Sequence, residues 1–318
     1  MVLRTSVIAL LFSTLSLPVT SQTMPLREES DVVGAINRIY ATYEDTLAGI
    51  GERKSLGYLE LVHANPRTDP WLPGEGAQII LPSRFILPEG PREGIVINLA
   101  EYRLYFFQDN KVSTYPVGVG TSNSPSPLTR TEVTVRLESP TWYPPESVRQ
   151  EYLAEGETLP RVIPPGPENP LGPYALQLAE DGYLIHGTNK RFGVGMQVSH
   201  GCIRMYNEDI SELIWTASVG TSVRIIDQPV KFGVEGDTLW VEVHRNDDDP
   251  TSNGQERLRQ AALEQIKLLK KQQPTLELNR RQLEQAIAEA NGIPQRVGKV
   301  IQQVAADEGE DTERPEAG

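Results

Sequence analysis

The sequence predicts a mostly β (α+β) fold that ends in a helical extension. Between residues 93 and 243, short runs rich in β-branched and aromatic residues alternate with polar residues, and turn signals separate the runs. This period of two is typical of strands. After residue 255 the apolar residues Leu258, Ala262, Ile266 and Leu269 instead recur at helical spacing. The strands are therefore expected to precede the helices along the chain.

Length and charge limit the classes of protein to consider. The chain has 318 residues, more than one hydrophobic core usually spans, so two or three domains are expected. Its formal net charge of −13 argues against nucleic acid as a partner and against an anionic membrane surface. Part of the acidity is concentrated in residues 306–318, which we interpret as an acidic disordered tail.

The first 21 residues resemble a secretory signal peptide. Arg4 supplies a positive charge, residues 7–17 are mainly apolar, and small or compact residues precede a cleavage site after Ser21. The alternative is a membrane anchor, but the apolar run is shorter than the roughly 20 residues that span a bilayer. We therefore expect export of the protein and no transmembrane span in its mature form.

The next two units differ in size. Residues 38–88 form a small unit, and residues 93–227 form the main domain, with predicted strands at 94–99, 103–107 and 131–137. The proline-rich passage 140–173 excludes a run of regular strand or helix. A long ordered loop of this kind is typical of a lid or a substrate wall.

The second half of the main domain leads to the C-terminal elements. Residues 183–186 are a predicted strand that carries His186 at its end, and residues 207–217 are a predicted helix. The remaining predictions are a strand at 223–226, a β-hairpin module at 228–245 with a glycine turn, and a helical extension at 255–305. The second helix of that extension is predicted from 276 to 291, with Gly292 as its C-cap.

The cysteine usage points to chemistry at one position. Cys202 is the only cysteine of the chain, so it has no intramolecular disulfide partner. Since a free thiol is an oxidation liability in an exported protein, a nucleophilic role is one reason to keep it; a buried apolar cysteine is the alternative. Two of the four histidines, His186 and His200, lie nearby in sequence. Either could act as the base that a catalytic thiol needs.

Neighbouring residues suggest further roles, and alternatives for each remain open. The amides around Gly201 could form an oxyanion hole, and the Gly187 carbonyl could orient a histidine base. Arg204 alternates with Cys202 and could hold a substrate carboxylate, although a lone arginine is more often in a structural ion pair. His186, His200 and Cys202 could instead supply three metal ligands, but no further ligand is placed by spacing, so we predict neither a metal nor a cofactor.

Residues 186–189 (His-Gly-Thr-Asn) followed by residues 199–205 (Ser-His-Gly-Cys-Ile-Arg-Met) resemble the catalytic motif of YkuD-type L,D-transpeptidases. Residues 140–145, 169–176 and 219–223 resemble stretches of the Gram-negative ErfK/YbiS branch. The resemblance covers about residues 93–227 and implies a YkuD-like β-sandwich. It also implies a periplasmic enzyme whose thiol attacks a peptidoglycan tetrapeptide stem after its mesodiaminopimelate residue.

The resemblance implies a role for each motif residue. D-alanine would leave, and the acyl group on the thiol would pass to an amine of a second stem, giving a 3-3 cross-link, or to a lysine of an outer-membrane lipoprotein. Carried over by position, Cys202 is the nucleophile and His186 the general acid/base. The other implied roles are orientation of the base by Gly187, an oxyanion site shaped by His200 and Gly201, and substrate binding by Arg204 and Ser199.

Residues 38–82 resemble a LysM module, a small βααβ unit. Residues 43–47 (Tyr-Glu-Asp-Thr-Leu), 61–66 (Leu-Val-His-Ala-Asn-Pro) and 72–74 (Leu-Pro-Gly) follow the pattern of that family, except that Glu44 stands where glycine is usual. The resemblance implies binding of N-acetylglucosamine-containing glycan. A second departure lies in the catalytic domain, where residues 126–129 (Ser-Pro-Leu-Thr) lack the glycine of the family's Thr-Pro-x-Gly segment.

Two other functions compete with transpeptidation. An L,D-carboxypeptidase or amidase would use the same thiol and motif, with water in place of the amine. A non-catalytic peptidoglycan-binding protein would use only the LysM-like unit, but an inert second domain is expected to have lost the thiol or His186, and both are present.

Overall fold

The computed structural model of the chain describes residues 22–245, 252–272 and 275–301. The predicted signal peptide and acidic tail lie outside the described residues. The helices are α1 (Leu47–Lys54), α2 (Tyr58–Ala64), α3 (Glu146–Ala154), α4 (Asn207–Thr216), α5 (Ser252–Gln272) and α6 (Arg280–Glu289). None of these described helices combines the length and the apolar character needed to span a bilayer.

Strands dominate the described residues up to residue 245, so the predicted mostly β class is confirmed. The strands up to residue 120 are β1 (Gln22–Pro25), β2 (Val32–Gly34), β3 (Asn37–Tyr40), β4 (Gln78–Leu81), β5 (Arg84–Ile86), β6 (Gly94–Asn98), β7 (Arg103–Gln108), β8 (Lys111–Pro116) and β9 (Val119–Gly120). Those after it are β10 (Thr129–Glu138), β11 (Tyr174–Leu178), β12 (Leu184–His186), β13 (Gln197–Ser199), β14 (Ile203–Arg204), β15 (Ser222–Ile226), β16 (Val230–Glu235), β17 (Thr238–Val243), β18 (Leu276–Leu278) and β19 (Gln295–Val300).

The main sheet bends about one long strand. Among the described residues it has the order β1-β8-β7-β6-β15-β10-β11-β12-β14. The first part of β10, up to Glu132, pairs with β15, and its second part, from Val133, pairs with β11, with a register shift between Val133 and Val135. Side chains from both halves, among them Ile97, Leu104, Leu176 and Ile185, share one hydrophobic core. The two halves therefore pack as layers around the core, as in a β-sandwich.

The small N-terminal unit has the predicted strand–helix–helix–strand order. Strands β3 and β4 pair antiparallel, with α1 and α2 between them in sequence. The buried Asn65 side chain connects the end of α2 to β4. Its amide donates to the carbonyls of Leu61 (2.8 Å) and Ile80 (2.9 Å), and its oxygen accepts from the Ile80 amide (2.8 Å). This pairing explains why a polar residue follows an apolar helix here.

The proline-rich passage contains a helix, so the prediction that it excludes one is wrong. Helix α3 occupies the proline-free stretch after Pro145, which is the N-cap residue: its carbonyl accepts a hydrogen bond from the Arg149 amide at 3.1 Å, and at this position the helix needs no N–H group from it. Proline disrupts a helix only when it lies inside it, not when it flanks its start. The buried Asn169 side chain fixes the base of the passage by donating to the Pro140 carbonyl at 2.9 Å.

The C-terminal hairpin and extension form one unit, which corrects the prediction of a separate hairpin followed by helices. Strand β17 pairs with β19, and β19 pairs with β18, so the described residues form a four-stranded sheet with order β16-β17-β19-β18. Helices α5 and α6 supply Ala262 and Ile287 to its core. The physical reason is that the hairpin leaves one edge of β17 unpaired, and a distant segment of chain completes it.

The second helix of the extension is also shorter than predicted. Residues 276–278 are a strand, and α6 begins after Asn279, whose side chain accepts a hydrogen bond from the Gln282 amide at 3.2 Å. Ala290, not Gly292, is the left-handed C-cap residue. Asparagine is a strong N-cap residue, and it starts the helix four residues later than the apolar periodicity suggests.

A buried network of charges joins the main domain to the C-terminal unit. The ammonium of Lys231 on β16 contacts Oε2 of Glu101 at 2.6 Å and Oε1 of Glu242 at 2.8 Å. The Tyr105 hydroxyl donates to Glu101 at 2.8 Å, and the other oxygen of Glu242 accepts from the Ile86 amide at 2.6 Å. Every charged group of this cluster is therefore hydrogen-bonded inside the protein; we call these groups the lysine junction.

A second buried ion pair joins the N-terminal unit to the main domain. Arg103 on β7 forms a two-pronged contact with Glu60 on α2, with its Nη2 atom 2.7 and 2.6 Å from the two carboxylate oxygens. Its Nε atom also donates to Glu60, at 2.9 Å, and Nη1 donates to the Thr114 hydroxyl at 3.1 Å. The small unit is thus fixed to the sheet that carries the site described next.

Candidate active site

Two short parallel strands place the predicted catalytic residues on one face of the sheet. In the pairing of β12 with β14, His186 lies opposite Arg204, and Ile185 lies opposite Ile203. The two isoleucines are buried in the core. Because successive side chains of a strand point to opposite faces, His186 and Arg204 point away from that core. Cys202 precedes Arg204 by two residues and lines the same cavity.

His186 is held in one tautomer by the main chain. Its Nδ1 atom lies 2.6 Å from the Gly187 carbonyl oxygen. A carbonyl oxygen only accepts, so Nδ1 carries the proton and Nε2 of the neutral ring offers a lone pair. Burial, and after it the positive charge of Arg204, lowers the pKa of His186 to about 4. The imidazole is therefore neutral at pH 7 and competent to accept a proton.

The thiol of Cys202, which lines the same cavity, is also neutral at rest. Burial raises the pKa of Cys202 above its usual value, although the Leu184 amide and Arg204 act in the opposite direction. In the part of the chain that the structure describes, the hydrogen bond of the thiol goes to the Gly182 carbonyl at 3.6 Å. The site thus holds a thiol and a neutral imidazole, not a thiolate–imidazolium pair. Such a pair reacts by proton transfer to the base during nucleophilic attack.

Two serine hydroxyls fix the turn that presents the cysteine. Ser199 donates to the Cys202 carbonyl at 2.6 Å and accepts from the Gly201 amide at 3.1 Å. Ser126 donates to the Gly201 carbonyl at 2.8 Å and accepts from the Gly120 amide at 2.9 Å. Gly201 has a positive φ of 106°, which few other residues adopt. The turn is therefore rigid before any substrate binds.

These bonds change two of the expected roles. Ser199 was expected to bind substrate, but its side chain is buried and its proton is donated within the turn. Gly201 was expected to shape an oxyanion site, but its N–H group is already bonded to Ser199. Both residues instead hold the shape of the turn, because their hydrogen-bonding groups are engaged inside it.

The His200 ring contacts helix α3 of the proline-rich passage. Its exposed ring places Nε2 2.7 Å from a carboxylate oxygen of Glu151 on α3. Among the described residues, the acidic, histidine and cysteine side chains whose ligand atoms converge are Glu101, Glu242 and His244, around the ammonium of Lys231. His186, His200 and Cys202 therefore do not form the three-ligand metal site that was the alternative for this motif.

Arg204 is a partly buried cation with no acidic partner among the described residues. Its guanidinium packs on Gly193, where an added Cβ would lie 2.5 Å from Nη1. Its Nε atom is buried and makes no hydrogen bond, and burial lowers its pKa. An unpaired guanidinium that faces a cavity is suited to bind a carboxylate with two hydrogen bonds.

The cavity around these groups has a volume of about 1020 Å³. The proline-rich passage forms one wall, as its length suggested, with Trp142, Val148 and Tyr152. The segment at residues 191–193 also lines the cavity, as do His186, Cys202 and Arg204. Cavities of this size with a mainly apolar lining and a few polar groups typically hold small-molecule or peptide ligands.

Sequence reasoning missed Asn207, which supports the turn of the histidine. Its side-chain oxygen accepts from the Thr188 amide at 2.8 Å. The same oxygen lies so close to Gly187 and Gly172 that an added Cβ at either would come within 2.5 or 2.6 Å of it. The one signal in the sequence was its place at the start of the predicted helix at 207–217. Ser126 lies in the segment 126–129 that departs from the family pattern, but nothing in the sequence indicated that its hydroxyl supports Gly201.

The sequence of the chain is similar to those of known proteins. A sequence model of the L,D-transpeptidase catalytic domain (YkuD) matches residues 92–225. The chain is 40% identical to "Probable L,D-transpeptidase YcfS" of Escherichia coli over 250 residues, 74% of this chain and 78% of that protein.

Two further relatives are similar over comparable lengths. Identity to "Probable L,D-transpeptidase ErfK/SrfK" of Salmonella typhimurium is 42%, over 74% of this chain and 77% of the relative. Identity to "Probable L,D-transpeptidase YbiS" of Escherichia coli is 39%, over 76% of this chain and 80% of the relative. All three relatives thus share with this chain a stretch longer than the catalytic domain alone.

Proposed function

The chain belongs to the L,D-transpeptidase family, and from that premise we propose that it acts on peptidoglycan tetrapeptide stems through an acyl-enzyme on Cys202. One observation carries the proposal: Cys202, the buried neutral His186 and the unpaired Arg204 face one cavity. The first residues, with the pattern of a signal peptide, support action in the periplasm, where peptidoglycan lies.

In the first half-reaction the thiol attacks the carbonyl carbon of the peptide bond that joins the mesodiaminopimelate residue to D-alanine. Nε2 of His186 takes the thiol proton as the bond from Sγ to carbon forms. The tetrahedral intermediate then breaks its carbon–nitrogen bond, and His186 gives the proton to the departing amine of D-alanine. The products are a thioester on Cys202 and free D-alanine, and His186 is neutral again.

In the second half-reaction an amine of the acceptor attacks the thioester. His186 takes a proton from that amine and returns it to the sulfur as the bond from carbon to sulfur breaks. The acceptor is the side-chain amine of a second stem, which gives a 3-3 cross-link, or a lysine of an outer-membrane lipoprotein. The neutral resting state of His186 supports both halves, because its low pKa keeps the ring ready to accept a proton.

The oxyanion that forms in both halves needs a donor other than Gly201. That amide is bonded to Ser199, whereas the Cys202 amide has no hydrogen-bond partner among the described residues. We therefore assign the oxyanion to the Cys202 amide, on the rigid turn that the two serines hold. Arg204 is assigned to a carboxylate of the donor stem, because its guanidinium is otherwise unpaired in the cavity.

The test of the proposal is covalent capture of the thiol. Incubation of the purified protein with an acylating carbapenem should add the mass of one inhibitor to the wild type and none to a Cys202→Ala variant. A Ser124→Ala variant is the control for substitution near the turn and should be labelled like the wild type. Absence of an adduct on the folded wild type would overturn the acyl-enzyme.

The acceptor is distinguished by mass spectrometry of peptidoglycan fragments from a strain in which this is the sole such enzyme. Stems joined through two mesodiaminopimelate residues indicate cross-linking, and stems joined to a lipoprotein lysine indicate anchoring. Tripeptide stems with neither product would show that water is the acceptor and would overturn transpeptidation in favour of L,D-carboxypeptidase activity.

A further inference from the structure

A short segment at the end of the catalytic motif contacts two different units of the molecule. Residues 205–209 end that motif and begin helix α4. At one end of the segment the Met205 amide donates to the His186 carbonyl at 2.8 Å. At the other end Asp209, in the first turn of α4, contacts the small N-terminal unit. We call residues 205–209 the linking segment.

Buried hydrogen bonds attach the linking segment to the N-terminal unit. The Ser55 hydroxyl, which follows α1, lies 3.1 and 3.0 Å from the two carboxylate oxygens of Asp209. Nearby in the chain, the Tyr206 hydroxyl donates to the Leu56 carbonyl at 3.3 Å. Ser55 and Asp209 are only 1% and 2% exposed, so water does not compete for their contact.

An ion-pair bridge nearer the surface joins the same two units. Arg191 contacts Glu52 on α1 and Glu208 of the linking segment, each at 2.6 Å. All three side chains are partly exposed, and exposed ion pairs contribute little to stability. The buried hydrogen bonds are therefore the stronger connection between the N-terminal unit and the linking segment.

The linking segment also fixes the turn that orients His186. The side-chain oxygen of Asn207 accepts from the Thr188 amide at 2.8 Å and lies against Gly187. The Gly187 carbonyl in turn accepts the Nδ1 proton of His186. Because Asn207 and Asp209 lie in the same helical turn, a displacement of the start of α4 would move the group that orients the imidazole.

The carboxyl group of Asp209 is buried, and the mechanism does not use it. Among the described residues it forms no ion pair, and its side-chain hydrogen bond comes from Ser55. Burial raises the pKa of Asp209 to about 7, and the carboxylates of Glu212 and Glu208 act in the same direction. The Ser55 hydroxyl and the Arg103 guanidinium act against them. A buried acid of this kind is costly to keep, which points to a role.

We propose that the Ser55–Asp209 contact makes the N-terminal unit a positioning element for His186. This inference rests on the proposed function, which gives His186 its role as the base. Docking through Asp209 holds the first turn of α4, Asn207 of that turn holds Gly187, and Gly187 holds the imidazole. The small unit thus affects the acylation rate of the thiol without contacting the substrate.

The test separates the binding of an acylating carbapenem from the bond-forming step. Stopped-flow measurements with the full, folded chain over a range of carbapenem concentrations give the dissociation constant of the first complex and the limiting acylation rate. Ser55→Ala should lower the limiting rate by about 3- to 10-fold, the size of one lost buried hydrogen bond, and leave the dissociation constant unchanged. Asp209→Asn keeps an oxygen that accepts from Ser55 and should stay within about twofold of the wild type.

Thr216→Ala is the matched control. Thr216 lies at the other end of α4, and its hydroxyl bonds to the carbonyls of Glu212 and Leu213 within that helix. Its removal should leave both constants unchanged. A wild-type limiting rate in Ser55→Ala would overturn the positioning role while the transpeptidase function stands. A wild type that the carbapenem does not acylate would instead overturn the proposed function.

A double variant tests whether Ser55 and Asp209 act as one unit. Asp209→Ala removes the acceptor, and its combination with Ser55→Ala should be no more than about twofold slower than the slower single variant, because one contact is lost only once. Losses that multiply in the double variant would overturn the contact as the cause. If Asp209→Ala does not fold, Ser55→Ala and Asp209→Asn still decide the question.

The titration of Asp209 gives an independent readout of docking. Because its pKa is raised from the usual value of about 4 to about 7, burial of the group costs stability as the pH rises through this window. The urea midpoint of the wild type should therefore fall more steeply with pH than that of Asp209→Asn, which does not titrate. Neighbouring Tyr206 stays neutral in this window, since burial raises its pKa. Parallel pH dependences in the two proteins would overturn the docked position of Asp209 that the proposal needs.

Discussion

The catalytic cavity and the lysine junction both hold ionisable groups away from water, and they treat them in opposite ways. In the cavity His186 and Cys202 are kept neutral by burial, and Arg204 has no acidic partner among the described residues. In the junction the ammonium of Lys231 lies between two carboxylates that accept further hydrogen bonds. The first arrangement leaves bonding capacity for a substrate, and the second leaves none.

The difference shows where the molecule tolerates an energetic cost. Burying a charge without a partner is unfavourable, and a substrate carboxylate beside Arg204 would relieve that cost. The junction has no such dependence, because its own groups satisfy one another. Of these two sites, the reactive cavity holds the unpaired charge, and the lysine junction, which joins two units of the molecule, holds the paired charges.

The largest effect on the acylation rate is expected at His186, the general base. His186→Gln should lower the acylation rate on the order of 10²- to 10⁴-fold, because the thiol then loses its proton acceptor. Stopped-flow acylation measures it. The matched control is His200→Gln, which removes the other histidine of the motif and its bond to Glu151. A near-normal rate in the first variant with a large loss in the second would assign the base to His200.

The junction should respond in stability and not in rate. Lys231→Met leaves Glu101 and Glu242 buried without their cation, so the free energy of unfolding should fall by about 3–5 kcal/mol. Urea denaturation measures it, and the acylation rate per folded molecule should not change. The control Arg259→Met removes an exposed ion pair with Glu284 and should leave the denaturation midpoint almost unmoved. Equal shifts of the denaturation midpoint in both variants would contradict the expected difference between buried and exposed ion pairs.

The unpaired charge of the cavity predicts a shift in pH dependence. The acylation rate should fall as the pH decreases through about 4, because protonated His186 cannot accept the thiol proton. The positive Arg204 disfavours the imidazolium, so Arg204→Met should move this acid limb to higher pH. The limb should stay below pH 6.5, since burial, the larger cause of the shift, remains. The shift is measured from pH–rate profiles of the wild type and the variant, each normalised to its own plateau. An acid limb at the same pH or at lower pH in the variant would contradict the prediction.

The smallest effect is expected at Ser126, which supports the turn that presents Cys202. Ser126→Ala removes the partner of the Gly201 carbonyl and the Gly120 amide, both buried. The free energy of unfolding should fall by about 1–2 kcal/mol, with a decrease in acylation rate of less than about tenfold. Ser124→Ala, two residues earlier, lacks these bonds and serves as the control. A Ser126→Ala variant with wild-type stability would show that the turn holds itself.

What the sequence could predict depended on how local each signal was. The strand that carries His186, the helix that begins at Asn207 and the hairpin of β16 and β17 all follow from short patterns, and the structure confirms them. The convergence of His186 and Cys202 on one cavity followed from the motif. The proline-free stretch between Pro145 and Pro160 also allowed a helix, but the prolines on both sides led to the prediction that the whole passage lacks one.

The contacts that no pattern revealed join residues far apart in sequence. Ser126 supports Gly201 across 75 positions, and β19 completes the edge of β17 after two intervening helices. Ser199 was misjudged because a motif shows that a residue matters but not whether its side chain faces substrate or its own turn. Such assignments depend on tertiary packing, which propensity and periodicity do not contain.

The pairing of β6 with β15 has a consequence for biosynthesis. These adjacent parallel strands, with Ile95 opposite Val223, come from the two ends of the catalytic domain. A nascent chain thus carries His186 and Cys202 before the strand that fills the place between β6 and β10 has been made. Parallel pairing over such a separation is intrinsically slow. A chain truncated before residue 222 would contain every reactive group and yet be unable to assemble the sheet that aligns them.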